Sequence, residues 1–401
     1  MKKIKVLLAA ANYPNDHYIW GPWNKEANIA IANSEYITAE TIAPLPYSLP
    51  FKFFPYHQLS KIPSVENGPE GKIHRPRFLY LIPKNIFYGY EGTFYRRSVE
   101  KYSKNLQKPN LIHCHHVYPD GYGFMKLCGK WNIPLIVDIH RGNLFTEFLK
   151  NKNLSNMILK TLNFASKIIC ISHEIKDLAI DYGINEEKLE IIPLGIDTNI
   201  FKPRDKDIIK EKLSINEKNI ILYVGQLIER KGLDHLIKAI LCLSDDIKKD
   251  LKVIIIGEGS EKDRLETLCK EMGLNSIFKF LGTVKREKIP YYYSIADIFV
   301  LPSLSEGRPV VIYEAMASEC AIIASNVDGI PEQVKEGYNG FLVKPRDNEA
   351  LADKIGYLVE HEKIMEKMKK NSRKRIIDEN WTWNGYSKQL IKTYNNLLEM
   401  N

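Results

Sequence analysis

No apolar run in the 401 residues approaches the length that crosses a bilayer, so the sequence offers no membrane-spanning helix. The start, Met1 to Ala11, imitates a secretory signal. Its apolar run is short, however, and Asn12-Tyr13-Pro14 follows where a small-residue cleavage site belongs, so it reads as the first β-strand. Cysteine is sparse. The six thiols (Cys114, Cys128, Cys170, Cys242, Cys269, Cys320) are scattered, none forms a C-x-x-C pair, and most fall in apolar runs where cysteine acts as a small hydrophobe. That excludes a thiolate metal site and points to a reducing, cytoplasmic setting. Long basic blocks are also lacking. The net charge of +8 is spread thinly, which suits phosphate-bearing substrates or an anionic membrane face, and no helix shows the basic face of a nucleic-acid binder. Finally, Val253-Ile-Ile-Ile-Gly-Glu-Gly-Ser260 opens like a dinucleotide fingerprint, but Lys262 stands where its third glycine belongs. This weakens a nicotinamide reading and leaves a strand-end turn lining a nucleotide pocket.

What is present is an alternation of short Val/Ile/Leu runs with amphipathic stretches. The runs include Ile4 to Leu8, Leu111 to Cys114, Pro134 to Ile139, Lys167 to Ile171, Ile220 to Val224, Val253 to Ile256, Ile298 to Leu301 and Ala321 to Ala324. Continuous apolar runs separated by helices predict parallel strands covered on both faces. At this length they form two doubly wound α/β domains, Rossmann-like and facing each other across an interdomain cleft. The stretch Pro193 to Pro203 breaks both periodicities and marks the hinge, which gives domains 1–197 and 198–382. No internal repeat or low-complexity tract is visible. Residues 45–97, rich in Pro, Tyr, Phe and basic side chains, read poorly as regular structure. They are either a loop packed by its own aromatics or a surface resting on lipid headgroups.

The chemistry concentrates in the second half. Glu306 and Glu314 sit in Ser303-Leu-Ser-Glu-Gly-Arg-Pro-Val-Val-Ile-Tyr-Glu314, just after the apolar run Ile298 to Leu301. Pro309 suits a first helical position, and the free N–H groups of that turn, Gly307 included, attract an anion. Carboxylates repel phosphate but accept hydrogen bonds from hydroxyls. A ligand that carries both phosphates and hydroxyl-rich rings, a nucleotide-sugar, fits the arrangement. Gly225 to Gly232 follows another strand and holds Arg230 and Lys231, two cations able to neutralise a diphosphate.

In the first half, Gly21 in Trp20-Gly-Pro-Trp23 either lets backbone approach a substrate or makes an ordinary strand–helix turn. His140 ends the run Pro134 to Ile139 and is either structural or bonds a sugar hydroxyl. In His113-Cys-His-His116 only His113 and His115 share a strand face, which argues against a metal. Asp205-Lys-Asp207 has the acidic spacing of metal-dependent sugar transferases but lies in a charged stretch away from any strand end, as a solvated pair would.

These residues resemble the family 4 retaining glycosyltransferases of the GT-B fold. The likeness runs from about residue 166 to 385 and includes Ile192-Pro-Leu-Gly-Ile-Asp197, Gly225 to Gly232, Gly257-Glu-Gly259, Phe280-Leu-Gly-Thr-Val284, Ala296 to Ser303, the two glutamates, and Gly329-Ile-Pro-Glu332. The first half is looser but keeps the Gly21 loop, Pro119-Asp-Gly121 and His140. The resemblance implies that Lys231 grips the donor diphosphate, Glu314 holds the ribose, Glu306 meets the donor hexose and His140 faces the transferred sugar. It also implies a last helix, 383–401, that crosses back to the N-terminal domain. The expected donor contacts further include Gly21, Arg230, Gly257, Val284, Gly307 and Pro309, together with Arg308, which either adds a phosphate contact or alters the donor sugar. Gln226, Arg308 and Arg141 stand where the family usually has Arg, an apolar residue and Gly.

The expected activity is therefore a metal-independent, retaining hexosyl transfer with no cofactor, from a nucleotide-diphosphate sugar to a saccharide or lipid-linked acceptor in cell-surface polysaccharide or glycolipid synthesis. Peripheral contact with the inner face of the cell membrane belongs to that picture, and nucleic acid does not. The alternatives are an epimerase or phosphorylase of the same fold, or a non-catalytic subunit that binds sugar nucleotides.

Overall fold

The computed structural model describes residues 3–15, 21–47, 57–79, 84–140 and 150–399. Trp20, Arg141 and most of the aromatic stretch from Tyr47 to His57, read either as a loop packed by its own aromatics or as a lipid contact, lie outside the described residues. The chain divides into two compact units, Met1–Leu194 with Trp383–Asn401, and Gly195–Thr382.

In the first unit the strands are β1 (Ile4–Ala9), β2 (Ile37–Ile42), β3 (Leu45–Pro46), β4 (Val65–Gly68), β5 (Gly71–His74), β6 (Arg77–Phe78), β7 (Leu111–Cys114), β8 (Leu135–Ile139), β9 (Lys167–Cys170) and β10 (Leu189–Ile191). Eight of them form one sheet in the order β10-β9-β8-β7-β1-β2-β5-β4, and β3 pairs with β6. Every pair in the large sheet is parallel except β4–β5. Met1 to Ala11 thus contributes β1, the centre of the sheet, with Ile4 opposite Ile37 in β2. The helix Trp383–Glu399 packs on the helix Pro22–Ala32 of this unit.

Residues 45–97 are more regular than their composition predicts. Their described part holds four short strands and the start of the helix Lys84–Tyr102. The strands β4 and β5 form a hairpin through Gly68-Pro-Glu-Gly71, where Gly71 takes φ +97°. Strands β3 and β6 are two residues long, β4 (Val-Glu-Asn-Gly) and β5 (Gly-Lys-Ile-His) are mostly polar or glycine, and β2 (Ile-Thr-Ala-Glu-Thr-Ile) is broken by polar residues where continuous apolar runs were sought.

The second unit is a sheet of β11 (Asn219–Val224), β12 (Leu251–Ile256), β13 (Phe278–Gly282), β14 (Ile298–Leu301), β15 (Ala321–Ser325) and β16 (Gly340–Val343). Its order is β13-β12-β11-β14-β15-β16, all parallel. This is the doubly wound order of a dinucleotide-binding sheet, with the direction of winding reversed between β11 and β14. Every residue of β11, β14 and β15 is buried, which is why these strands read as unbroken apolar runs. Each fully buried Ile, Leu or Val contributes roughly 1.5–3 kcal/mol.

One acid stands inside this apolar frame. Asp297, 4% exposed, precedes β14 and accepts from Lys206 Nζ at 2.6 and 2.7 Å, from Lys369 Nζ at 3.2 Å and from the Ile220 amide at 3.0 Å. It ties the start of β11 to two helices whose lysines lie 91 and 72 positions from Asp297. Asp297→Ala removes the partner of Lys206 and of the Ile220 amide and leaves Lys369 with Glu366, and is expected to cost roughly 3 kcal/mol, measured as a lower urea midpoint.

Candidate functional site

Ligands of open parallel sheets bind beyond the strand carboxyl ends where the winding reverses. In the second unit that point lies between the loops that leave β11 and β14. The two loops are stitched together: the Leu304 amide donates to the Arg230 carbonyl at 2.8 Å, and the Arg230 guanidinium donates to the Ser305 carbonyl. Gly232 takes φ +62°, and a Cβ there would stand 2.2 Å from the Pro302 carbonyl oxygen, so only glycine lets the loops meet.

At this junction Glu306, 6% exposed, gathers its partners. Lys231 Nζ donates to Oε1, Ser303 Oγ donates to the same oxygen at 2.7 Å, and Arg230 Nη1 lies 3.6 Å from Oε2. A buried carboxylate needs such partners to stay ionised. Glu306 and burial together push the Tyr223 phenol upward, burial being the larger cause. The Tyr223 hydroxyl donates to the Gln226 carbonyl at 2.9 Å.

The remaining second-unit residues fall into place around this cluster. Gly257, at φ +145°, would put a Cβ 1.8 Å from the Gly225 carbonyl oxygen, so the close approach it permits is to the β11 loop itself. Val284 follows β13 and packs, partly buried, against the core. The Gly307 carbonyl accepts from the Gly329 amide at 3.0 Å. Pro309 needs a correction. Its ψ of 121° is extended, so it caps the helix Val310–Ala317 from outside and Val310 is the first helical residue. The first-turn amides of Val310 and Val311 still lack intrahelical acceptors, as in any helix. Glu314, buried on that helix, accepts from the Tyr293 hydroxyl at 2.8 Å. Arg308 is buried too; it donates to Glu332 and to the Tyr313 hydroxyl, and its guanidinium carbon lies 5.0 Å from the Trp381 ring centre. Asp205 caps the helix Lys206–Leu213 by accepting from the Ile208 amide at 3.1 Å.

In the first unit, Gly21 caps the helix Pro22–Ala32 at φ +53°, and a Cβ there would meet the Asn12 carbonyl oxygen at 2.3 Å. The strand–helix turn alone accounts for that glycine. Asp120 of the Pro119-Asp-Gly121 segment is buried, accepts from the Tyr95 hydroxyl at 2.5 Å and lies 3.1 Å from His116 Nδ1.

His140 directly follows β8. Among the described residues neither ring nitrogen has a hydrogen-bond partner, and the nearer one stands 3.7 Å from Asp138 Oδ2. Asp138 is the residue that sequence reasoning passed over. Its carboxylate lies 2.6 Å from His113 Nε2 and 3.1 Å from His115 Nδ1. His113 Nδ1 meets the Tyr394 hydroxyl at 2.6 Å and His115 Nε2 meets Asn28 Oδ1 at 2.6 Å. The three groups come within 4.8 Å of one another, close enough for a shared ion, but hydrogen bonds already occupy all four imidazole nitrogens. The signal was available: a charged residue inside Leu135-Ile-Val-Asp-Ile139 has no place in an apolar strand unless buried partners receive it.

With the geometry in hand, comparison with known proteins decides the family. The model described as Glycosyl transferases group 1 matches residues 205–375, and that of Glycosyltransferase Family 4 matches residues 61–200. The chain belongs to glycosyltransferase family 4. Among its relatives is the Escherichia coli UDP-Gal:alpha-D-GlcNAc-diphosphoundecaprenol alpha-1,3-galactosyltransferase, 29% identical over 68% of this chain and 72% of that protein. The GT-B fold recurs in sucrose-phosphate synthase from Thermosynechococcus elongatus (TM-score 0.82, 21% identity, all of both chains). It recurs again in Anabaena HepE in complex with UDP-glucose (TM-score 0.75, 20% identity, 98% of this chain and 100% of that one). The second unit of this glycosyltransferase carries the cation–carboxylate cluster, and the first carries His140 and its buried neighbours. Among the described residues no helix is long and apolar enough to cross a membrane.

Burial holds His140 neutral, lowering it to about 3, with His116, His115 and His113 adding to the effect and Asp138 opposing it. The unfolded chain takes up a proton near pH 6.5 and the folded one does not, so stability falls as pH drops from about 6.5 toward 3. His140→Asn is expected to remove about 2 kcal/mol of the loss between pH 7 and pH 5, seen as a smaller drop in urea midpoint than in the wild type.

Proposed function

We propose that the chain transfers a hexose from a nucleotide-diphosphate sugar to a saccharide or lipid-linked acceptor, with retention of anomeric configuration and without a metal. The observation that carries this reading is the meeting of Lys231, Arg230 and Glu306 at the winding reversal of the second sheet. Two cations with a carboxylate between them match a ligand with a diphosphate at one end and sugar hydroxyls beside it. HepE in its complex with UDP-glucose supports a nucleotide-sugar donor. The E. coli relative, named for a diphosphoundecaprenol acceptor, supports a lipid-linked one.

The chemistry follows from the residues. As the bond from the anomeric carbon to the diphosphate breaks, negative charge grows on the leaving oxygens. Lys231, Arg230 and the free amides at the start of the helix Val310–Ala317 are the donors proposed to receive it. Glu306, Glu314 and, from the first unit, His140 are proposed to meet hydroxyl groups of the sugar and the ribose. The acceptor attacks from the face the diphosphate leaves and gives its proton to the departing phosphate oxygen, so no enzymic nucleophile is needed. Asp205 supports metal independence, because its carboxylate serves as a helix cap. Arg308 enters as a support of the Glu306 loop, since Glu332 and Tyr313 already receive its guanidinium.

Lys231→Ala and Glu306→Ala are each expected to lower turnover by a factor on the order of 10²–10³, with the fold retained at the assay temperature, checked by circular dichroism, although the lost ion pair lowers heat stability. The assay is release of nucleoside diphosphate with donor and acceptor present. Full turnover in both variants overturns this site. A screen of nucleoside diphosphates and their sugars by thermal shift identifies the donor as the strongest stabiliser of the wild type, an effect expected to vanish in Lys231→Ala. Conversion of the donor sugar without any acceptor would make the protein an epimerase instead.

A further inference from the structure

A second acid holds the Glu306 loop from behind. Asp328 lies in the turn after β15 at φ +48°, a left-handed conformation that glycine adopts freely and other residues rarely. Aspartate and asparagine tolerate this region better than other non-glycine residues. Here Asp328 Oδ2 accepts from the Glu306 amide at 2.5 Å and from Ser305 Oγ at 2.9 Å. The next residue completes a clasp, since the Gly329 amide donates to the Gly307 carbonyl at 3.0 Å. On the opposite side the loop is held by Arg230, through the Leu304 amide and the Ser305 carbonyl. Glu306 is thus fixed at its backbone by Asp328 and at its carboxylate by Lys231 and Ser303.

We propose that Asp328 is a positioning residue of the donor site: by taking the Glu306 N–H it sets where the Glu306 carboxylate, and with it the Lys231 ammonium, meets the donor. The inference rests on the donor-site reading above. It also gives the loop a division of labour. The Glu306 amide is occupied by Asp328 and cannot serve as a phosphate donor, so recognition by this residue falls to its side chain.

Three variants separate anchoring from backbone conformation. Asp328→Asn keeps a left-handed residue and an acceptor oxygen. Asp328→Gly removes the anchor while relieving any conformational cost, and Asp328→Ala removes the anchor and keeps the cost. Two readouts are taken: kcat and donor KM, and hydrogen exchange of peptides spanning residues 303–308. Asp328→Gly is expected to exchange faster at Ser305–Glu306 and to lose roughly 10- to 100-fold in kcat, as loosened catalytic groups do, with heat stability equal to or above that of Asp328→Ala. Asp328→Asn is expected to restore both exchange protection and most of kcat. A glycine variant with wild-type exchange and wild-type kcat overturns the proposal and leaves Asp328 a turn residue only. If the wild type moves no sugar at all, the donor-site reading fails, and the exchange measurement still decides whether Asp328 anchors the loop.

Discussion

The contact on which the site depends is the pairing of Glu306 with two cations from one short turn. Arg230 and Lys231 are adjacent in sequence, and like charges close together repel by several kcal/mol in a partly buried setting. Glu306 lies between them, with Lys231 on one oxygen and Arg230 near the other. The carboxylate lets the turn hold both cations in place before any ligand arrives. Everything nearby serves that arrangement: Ser303 satisfies a further lone pair, Gly232 lets the two loops close up, and Arg230 also binds the backbone of the loop that carries Glu306.

Much of this was legible in the sequence, for definite reasons. The strands β11, β14 and β15 of the second sheet are buried on both faces, so they stand out as apolar runs, and the loops after β11 and β14 carry the candidate site residues in plain view. Lys231 and Glu306 were nameable from the residues, although their direct pairing was not, because the two are 75 positions apart. The illegible parts share one property, partners distant in the chain. The Tyr394 hydroxyl and His113 are 281 positions apart, and Asp138 and His113 are 25 apart on neighbouring strands. No spacing rule connects such residues. Short strands were lost for another reason, since β3 and β6 are two residues long and carry no period.

The glycines teach a separate lesson. A glycine after a strand in a doubly wound sheet invites the reading that backbone must approach a ligand. At Gly21, Gly232 and Gly257 the nearest obstacle to a Cβ is instead a backbone carbonyl of the protein, at 2.3, 2.2 and 1.8 Å. These residues let neighbouring loops stack at the strand ends. Ligand binding gains from that stacking indirectly, because loops pressed together hold their side chains still.

Arg308 shows how the platform is closed on its remaining side. An apolar residue there would pack and do no more. The guanidinium instead joins the loop to Glu332 and Tyr313, and it lies 5.0 Å from the Trp381 ring centre, as does the Arg375 guanidinium. Arg375 in turn donates to the carbonyls of Glu332 and Gln333 at 2.8 and 2.9 Å, which secures the segment that receives Arg308. Trp381 is itself fixed, its carbonyl accepting from the Ile196 amide at 3.1 Å. A long, flexible cation has thereby been made rigid by aromatic and anionic contacts on several sides. The loop between Ser303 and Pro309 is accordingly held by the β11 turn through Arg230, by the β15 turn through Asp328 and by the Trp381 cluster through Arg308. A carboxylate on a loop so constrained has little freedom to follow its cations, so its position is set by these three anchors and not by the ion pair alone.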